Sequence, residues 1–379
     1  MENFKMIPGG ICAPAGFSAA GVHCGIRHNH SKLDLALIKA DVRCAGAGCY
    51  TTITVDREHL KDGYAQAIVV NSGNANTCAP NGIELAKETC EIVAKELGIS
   101  ADDVLPSSTG VIGQAMSIEP FAKGIPEAAA KLAATAAGSH DAATAIMTTD
   151  THSKEVSIEF TIGGKICRMG AIAKGSGMIH PNMATMLLFI TTDAKVEPAV
   201  LQAALSSVVP ATFNQISVDG DTSTNDTCVV LANGLAGNAP ITGPGADYDA
   251  LVEALRYVCE YEAKMIASDG EGAGRLVTCT VQGAASEEQA ELMAKAVVRS
   301  PLVKCAIFGT DANWGRVLCA VGYSGAEFDP KDVEVKFLSQ AGELKVCAGG
   351  QGVPFDEDLA KKVLSEPEVV ILVTLTAGD

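Results

Sequence analysis

Residues 174–187 read KGSGMIHPNMATML, and the apolar run LLFITTDA starts within the last residue of that stretch. Glycines at 175 and 177 and a proline at 181 mark the first part as a loop. The Leu, Phe and Ile that follow have the length and character of a buried strand. A buried strand must be paired at its edges and covered on its faces. The joint between loop and strand falls at Ala184-Thr185. A turn-rich segment thus delivers a threonine to the start of a buried strand.

The rest of the chain supplies matching elements. QAIVV at 66–70 predicts a strand, followed by the turn-rich NSGNANTCAPNG. A helix is expected next, with Ile83, Ala86, Cys90, Val93 and Leu97 on one face and Gly98 as its stop. Residues 127–138 read as an Ala-rich helix, 155–162 and 166–173 as strands. PAVLQAALSSVV predicts a helix with Pro198 in its first turn. ADYDALVEALRYVCEYEAKMI predicts a long one, whose stripe Leu251, Leu255, Val258, Cys259 is interrupted by Glu262. Ser286 and Gln289 have capping-box spacing. A helix near Asp356–Leu364 and a strand EVVILVTL come last. Strands mixed with helices give an α/β or α+β class. The 379 residues suffice for two domains or one large one, but composition marks no boundary.

A formal charge of −17 argues against nucleic-acid and anionic-membrane partners. No run of 18 apolar residues is present, and the start MENFKMIPGG lacks a signal-peptide core. Thirteen cysteines without a CxxC pair suggest reduced thiols in the cytoplasm, many of them buried.

All seven histidines lie at or before His180, so a Ser-His-Asp triad would need its base from the first half. No G-x-S-x-G elbow, HExxH or Walker A motif occurs. Gly270–Gly274 follows a helix, not a strand, which disfavours a dinucleotide fingerprint. His23, His28 and His30 have no companion ligand cluster, so no metal is expected. Thr185 offers another chemistry. A threonine hydroxyl is a weak nucleophile that needs a base. If the Ala184–Thr185 bond is cut, the threonine's own α-amine, with a pKa near 7.7–8.0, can take the hydroxyl proton. The same hydroxyl could make the cut, given a strained bond. Gly175 and Gly177 are expected to allow unusual backbone angles there, and Pro181 to fix one. The residues alone leave a plain β-branched strand residue as the commoner reading.

KGSGMIHPNMATML resembles the signature of the ornithine acetyltransferase family, the bifunctional glutamate N-acetyltransferases of arginine biosynthesis. GGICAPAGFSAAGVHCGI, LDLALI, NSGNANTC, SSTGVIG, MTTDT, FNQISVDGDTSTND, SDGEGAGR and GTDANWGRV resemble its other motifs in order. The resemblance implies an α/β (α+β) sandwich related to aminopeptidases of the N-terminal-nucleophile type. It implies self-cleavage between Ala184 and Thr185 into an α chain, 1–184, and a β chain, 185–379, associated as a heterotetramer of two α and two β. It implies Thr185 as nucleophile, Thr109 and Gly110 as oxyanion hole, and Thr148, Lys174, Thr185 and Glu271 as substrate contacts. By sign of charge, Lys174 suits a carboxylate and Glu271 an ammonium. The implied reaction moves acetyl from N-acetylornithine to glutamate through an acetyl-threonine, without metal or bound cofactor. Acetyl-CoA as a further donor stays open, and so does feedback inhibition. The family continues past the position of Asp379 with a tail carrying an Asn and a Thr or Ser that touch substrate, so this sequence is expected to be a fragment. Two alternatives remain: a self-cleaving amidase or aminopeptidase, and an inactive, truncated amino-acid-binding protein.

Overall fold

The computed structural model describes residues 4–29, 31–50, 54–180, 186–223 and 225–378. They divide into two units, one built from the chain up to Asn214 with Asp221–Glu271, the other from Gln215–Gly220 with the chain from Gly272. The last crossing falls inside SDGEGAGR, whose turn residues look like any loop in composition. Elements on both sides of 184/185, where the resemblance implies a cut, build the first unit.

Among the described residues the first unit carries nine strands: β1 (Lys5–Met6), β2 (Phe17–Val22), β3 (Leu35–Tyr50), β4 (Tyr64–Asn74), β5 (Val104–Val111), β6 (Lys154–Ile162), β7 (Lys165–Lys174), β8 (Leu187–Thr192) and β9 (Thr227–Ala232). Their order is β1-β6-β7-β8-β9-β3-β4-β5, with β2 also on β3. β3 joins two halves. Its start pairs with β2 and β4, its end, Ala45–Tyr50, pairs with β9, and its register on β4 shifts between Lys39 and Cys44. The helices of this unit are α1 (Thr54–His59), α2 (Gly82–Leu97), α3 (Glu119–Lys131), α4 (Ala136–Ile146), α5 (Pro198–Val208) and α6 (Ala246–Ser268).

The period of two along β3 and β4 sorts the core. Ala36, Ile38, Ile68 and Val70 pack with α4 and with Ile172, Phe189 and Val229 from the other half of the sheet. Leu35, Leu37, Ala67 and Val69 turn to the opposite face, against Leu85, Cys90 and Val93 of α2 and Phe121 and Ile125 of α3. The first unit is thus a mixed α/β sandwich, as the resemblance implies. β8 lies between β7 (antiparallel) and β9 (parallel), with all six of its residues buried. The buried strand expected after Thr185 is there.

The second unit holds β10 (Leu276–Gln282), β11 (Glu334–Ser339), β12 (Gly342–Ala348), β13 (Gln351–Gly352) and β14 (Glu368–Thr374), in the order β10-β14-β11-β12-β13. Its helices are α7 (Glu287–Arg299), α8 (Pro301–Phe308), α9 (Trp314–Gly322) and α10 (Glu357–Ser365). Val297, Val321, Phe337, Val363 and Ile371 form its core.

Several expectations need correction. The strand at 66–70 runs on through Asn74, because NSGN pairs in parallel with SSTG of β5. The Ala-rich helix is two helices: Ala133 bridges to Ala19 of β2, and Thr135 caps α4 by accepting from Gly138 N. Ile83 is 51% exposed, and Leu85 takes its place on the buried face of α2. Glu262 does not break its stripe but lies within it, fully buried, with no hydrogen-bond partner among the described residues. Burial pushes the pKa of that carboxyl well above its ordinary range. Only half of the capping box forms: Ser286 Oγ accepts from Gln289 N, while Gln289 Oε1 accepts from Glu327 N. All thirteen cysteines are free thiols, most of them buried. Among the described residues no helix is long and apolar enough to cross a membrane.

Candidate active site

Three motifs far apart in sequence are clipped together by buried charge. Asp150 of MTTDT accepts from Thr148 N (2.9 Å), from Gly175 N (2.7 Å) and from Lys154 Nζ (2.7 Å). Lys154 also donates to Asp269 Oδ2 (2.6 Å), which accepts from Thr151 N (3.0 Å). The Thr151 hydroxyl donates to Asp269 Oδ1. Ser176 Oγ donates to the Asp269 carbonyl (2.7 Å), and Glu271 N donates to the Ser176 carbonyl (3.0 Å). The Asp150 and Lys154 side chains have no exposure at all. Charges at such depth persist only when paired and hydrogen-bonded. Burial pushes the Asp150 carboxyl up, but Lys154 and Lys174 outweigh it and hold it below the ordinary carboxylate range.

The KGSG glycines serve this packing in an unexpected way. Neither Gly175 nor Gly177 has positive φ; among the described residues of the loop it is Met178 that is left-handed, at φ 59°. A Cβ on Gly177 would lie 2.5 Å from Glu271 Oε1, and one on Gly175 3.0 Å from Ile179 Cδ1. They are small so that neighbours can come close, with the carboxylate of Glu271 lying over Gly177.

Lys174 ends β7 and is 5% exposed; its Nζ donates to Thr109 Oγ1 (3.0 Å), itself 8% exposed on β5. These strands are five places apart in the sheet order, yet this bond joins their ends. SSTG, which in isolation reads as a turn, is the end of strand β5. Gly110 follows, exposed, at φ 124°, where a Cβ would lie 2.3 Å from the Gly73 carbonyl. Only glycine fits there. Arg27, whose Cγ packs over Gly73, donates from Nη2 to the Met147 carbonyl, next to Thr148.

A further layer backs Thr109. Asn76 N donates to Ser108 Oγ (2.8 Å), Asn225 Nδ2 to Asn76 Oδ1 (2.8 Å), and the Thr77 hydroxyl to Asn225 Oδ1. NSGNANTC and SSTGVIG therefore form one hydrogen-bonded group with Asn225. Beside it Asp226 is 2% exposed, and neither carboxylate oxygen meets hydrogen-bond geometry among the described residues. Burial pushes its pKa up to about 8, against the pull of the nearby Met186 N–H and Lys174. Burial likewise lowers the pKa of Lys174, opposed by Asp150 and Asp226.

The structure thus brings Thr109, Gly110, Thr148, Lys174 and Glu271 into one unit, linked by the bonds above. Ala184 and Thr185 lie outside the described residues. Sequence reasoning missed Asp150, Lys154, Asn225, Asp226 and Asp269. Four of these stand in or beside motifs that were matched, but nothing in a run of Thr, Asn and Asp announces burial. His23, weighed as a metal ligand, has Nδ1 2.9 Å from the Lys32 carbonyl and 3.1 Å from Asp34 Oδ2; His30 lies outside the described residues.

A lysine-held hydroxyl beside a left-handed glycine is the kind of group that can meet a developing negative oxygen, the central demand of acyl transfer. A model of the ArgJ family matches residues 18–379. The arginine biosynthesis bifunctional protein ArgJ of Caldanaerobacter subterraneus subsp. tengcongensis is 50% identical over 383 residues, 99% of this chain and 94% of that protein. The protein of the same name from Symbiobacterium thermophilum is 48% identical over 384 residues, with 99% and 94% covered. Among solved structures, Mycobacterium tuberculosis ornithine acetyltransferase complexed with ornithine is 32% identical, with a TM-score of 0.42 over 48% of this chain and all of that one. The chain belongs to the ArgJ family, the ornithine acetyltransferases of arginine biosynthesis, and is an acyltransferase.

Proposed function

We propose that this acyltransferase moves acetyl from N-acetylornithine to glutamate by way of an ester on Thr185, after cutting its own chain between Ala184 and Thr185. The observation that carries the reading is the Lys174–Thr109 bond, which joins two matched motifs 65 residues apart. Thr185 Oγ attacks the acetyl carbonyl and its freed α-amine takes the hydroxyl proton. The negative oxygen is met by the Thr109 hydroxyl and the Gly110 N–H. The C–N bond breaks, the proton passes to the leaving amine, and ornithine departs. The glutamate amine then attacks the ester, and the threonine hydroxyl is restored. Thr148, Lys174 and Glu271 hold the substrate, Lys174 toward a carboxylate and Glu271 toward an ammonium. The site needs no metal or bound cofactor; acetyl-CoA is proposed as the second donor of a bifunctional enzyme.

The sheet supports a cut that does not separate the pieces. β8 and β9 would belong to one piece, yet they pair with β7 and β3 of the other. The mature protein is proposed as two copies of each piece, working in the cytoplasm. Intact masses of wild type and Thr185→Ala, followed by product analysis with N-acetylornithine and glutamate, test this. Two pieces in the wild type alone, with ornithine and N-acetylglutamate released in equal amounts, are expected. Acetate in place of N-acetylglutamate would mean an amidase. An uncut wild type that releases nothing would end the proposal.

A further inference from the structure

A threonine hydroxyl has one hydrogen and a free rotor. It stabilises a negative oxygen only when that hydrogen points at it. Lys174 Nζ stands 3.0 Å from Thr109 Oγ1, and both side chains are buried. An ammonium donates and cannot accept, so the lysine occupies a lone pair of the hydroxyl oxygen and leaves its hydrogen to go elsewhere. Among the described residues the Thr109 hydroxyl donates to nothing. A hydroxyl that accepts a bond from a cation is also a stronger donor than one that does not.

The lysine is itself fixed. It ends a buried strand, opposite Leu187 of β8, and the next backbone N–H is held by Asp150. Asp150 is anchored in turn by Lys154. On the other side Thr109 is continuous with Ser108, whose hydroxyl holds Asn76 N. Neither end of the Lys174–Thr109 bond can easily drift.

We propose that Lys174 is a positioning residue for the oxyanion site, aiming and strengthening the Thr109 hydroxyl as a donor in addition to any contact it makes with substrate. The inference rests on the acetyl-transfer reading. It makes the worth of the lysine conditional on a hydroxyl at position 109. A lysine that only held the substrate carboxylate would matter equally whatever stood at 109.

The test is Lys174→Met in three backgrounds: wild type, Thr109→Ser and Thr109→Ala. The cleaved fraction is read from intact masses and kcat is expressed per cleaved chain. With a hydroxyl at 109, kcat should fall by at least about tenfold and by no more than the about 10²–10³-fold that outright loss of an oxyanion donor costs. With alanine at 109, the lysine change should cost less than about threefold, since residues acting as a unit do not add. Lys174→Gln, neutral but still a donor, should lose less than Lys174→Met, again only where a hydroxyl is present. It also serves should the methionine variant fail to fold or cleave. Equal losses in all backgrounds, or a change confined to KM, would overturn the proposal. A wild-type protein that releases no ornithine would instead sink the acetyl-transfer reading, so the two failures are distinct.

Discussion

The two units each carry a network of lysines and acids, and the networks do different work. In the first, Lys154 bridges Asp150 and Asp269 at 2.7 and 2.6 Å, with side chains 0–3% exposed. In the second, Lys336 and Lys345 meet Glu334 and Glu343 on β11 and β12 at 2.7–3.5 Å, with side chains 24–53% exposed. Distances are alike; solvent is not. Exposed pairs are screened and worth little. The buried set was costly to assemble, and its members also hold Thr148, Gly175, Thr151 and Ser176. Charge in the first unit fixes the loops that carry the proposed site. Charge in the second lies on a solvent-facing side of interior strands β11 and β12.

The largest break in this comparison is expected from Lys154→Met. It leaves Asp150 and Asp269 buried without their cation, at a cost of about 3–5 kcal/mol by denaturant unfolding, with transfer activity lost as well. Retained stability would mean that solvent reaches the network. Next, Thr109→Ala should lower kcat by about 10²–10³-fold and leave the melting temperature nearly unchanged. A loss of stability in place of rate would make Thr109 a packing residue.

Asp226 sharpens the contrast through pH. Its folded pKa of about 8 is above its ordinary value, so the folded state keeps a proton that the unfolded state has lost above about pH 4. The unfolded state then binds fewer protons, and stability falls as pH rises from about 4 to 8. Asp226→Asn mimics the neutral acid. It should match the wild type near pH 5 and exceed it near pH 8 by on the order of 1–3 kcal/mol. Equal pH slopes in thermal melts would show that Asp226 is ionised. Smallest of all, Lys345→Ala should change stability by less than about 1 kcal/mol and leave transfer unchanged. A larger loss would erase the distinction between the networks.

Legibility followed the same line. Strongly patterned elements such as α2, α6, β8 and β14 can be read from periodicity and punctuation. β5 cannot, because Ser107–Gly110 has turn composition and is made a strand by pairing with β4. The break between α3 and α4 is set by a bridge to β2, which no local signal encodes. At the proposed site, motif matching singled out Thr109, Gly110, Thr148, Lys174 and Glu271. It could not find that Asp150, Lys154 and Asp269 tie together the segments around Thr148, Gly175 and Ser176. Short polar residues look alike in sequence whether they are solvated or buried, and only the folded sheet brings them together. The role of the KGSG glycines was misread for the same reason: their use is close approach, which depends on Ile179 and Glu271 and not on the loop itself.

The account stands on an acetyl group carried by Thr185. The direct measurement is the intact mass of the protein after exposure to N-acetylornithine without glutamate, then after glutamate is added. The piece beginning at Thr185 should gain the mass of one acetyl group in place of a hydrogen and lose it when glutamate arrives. A chain that stays whole, or a second piece whose mass never changes while ornithine is released, would contradict it.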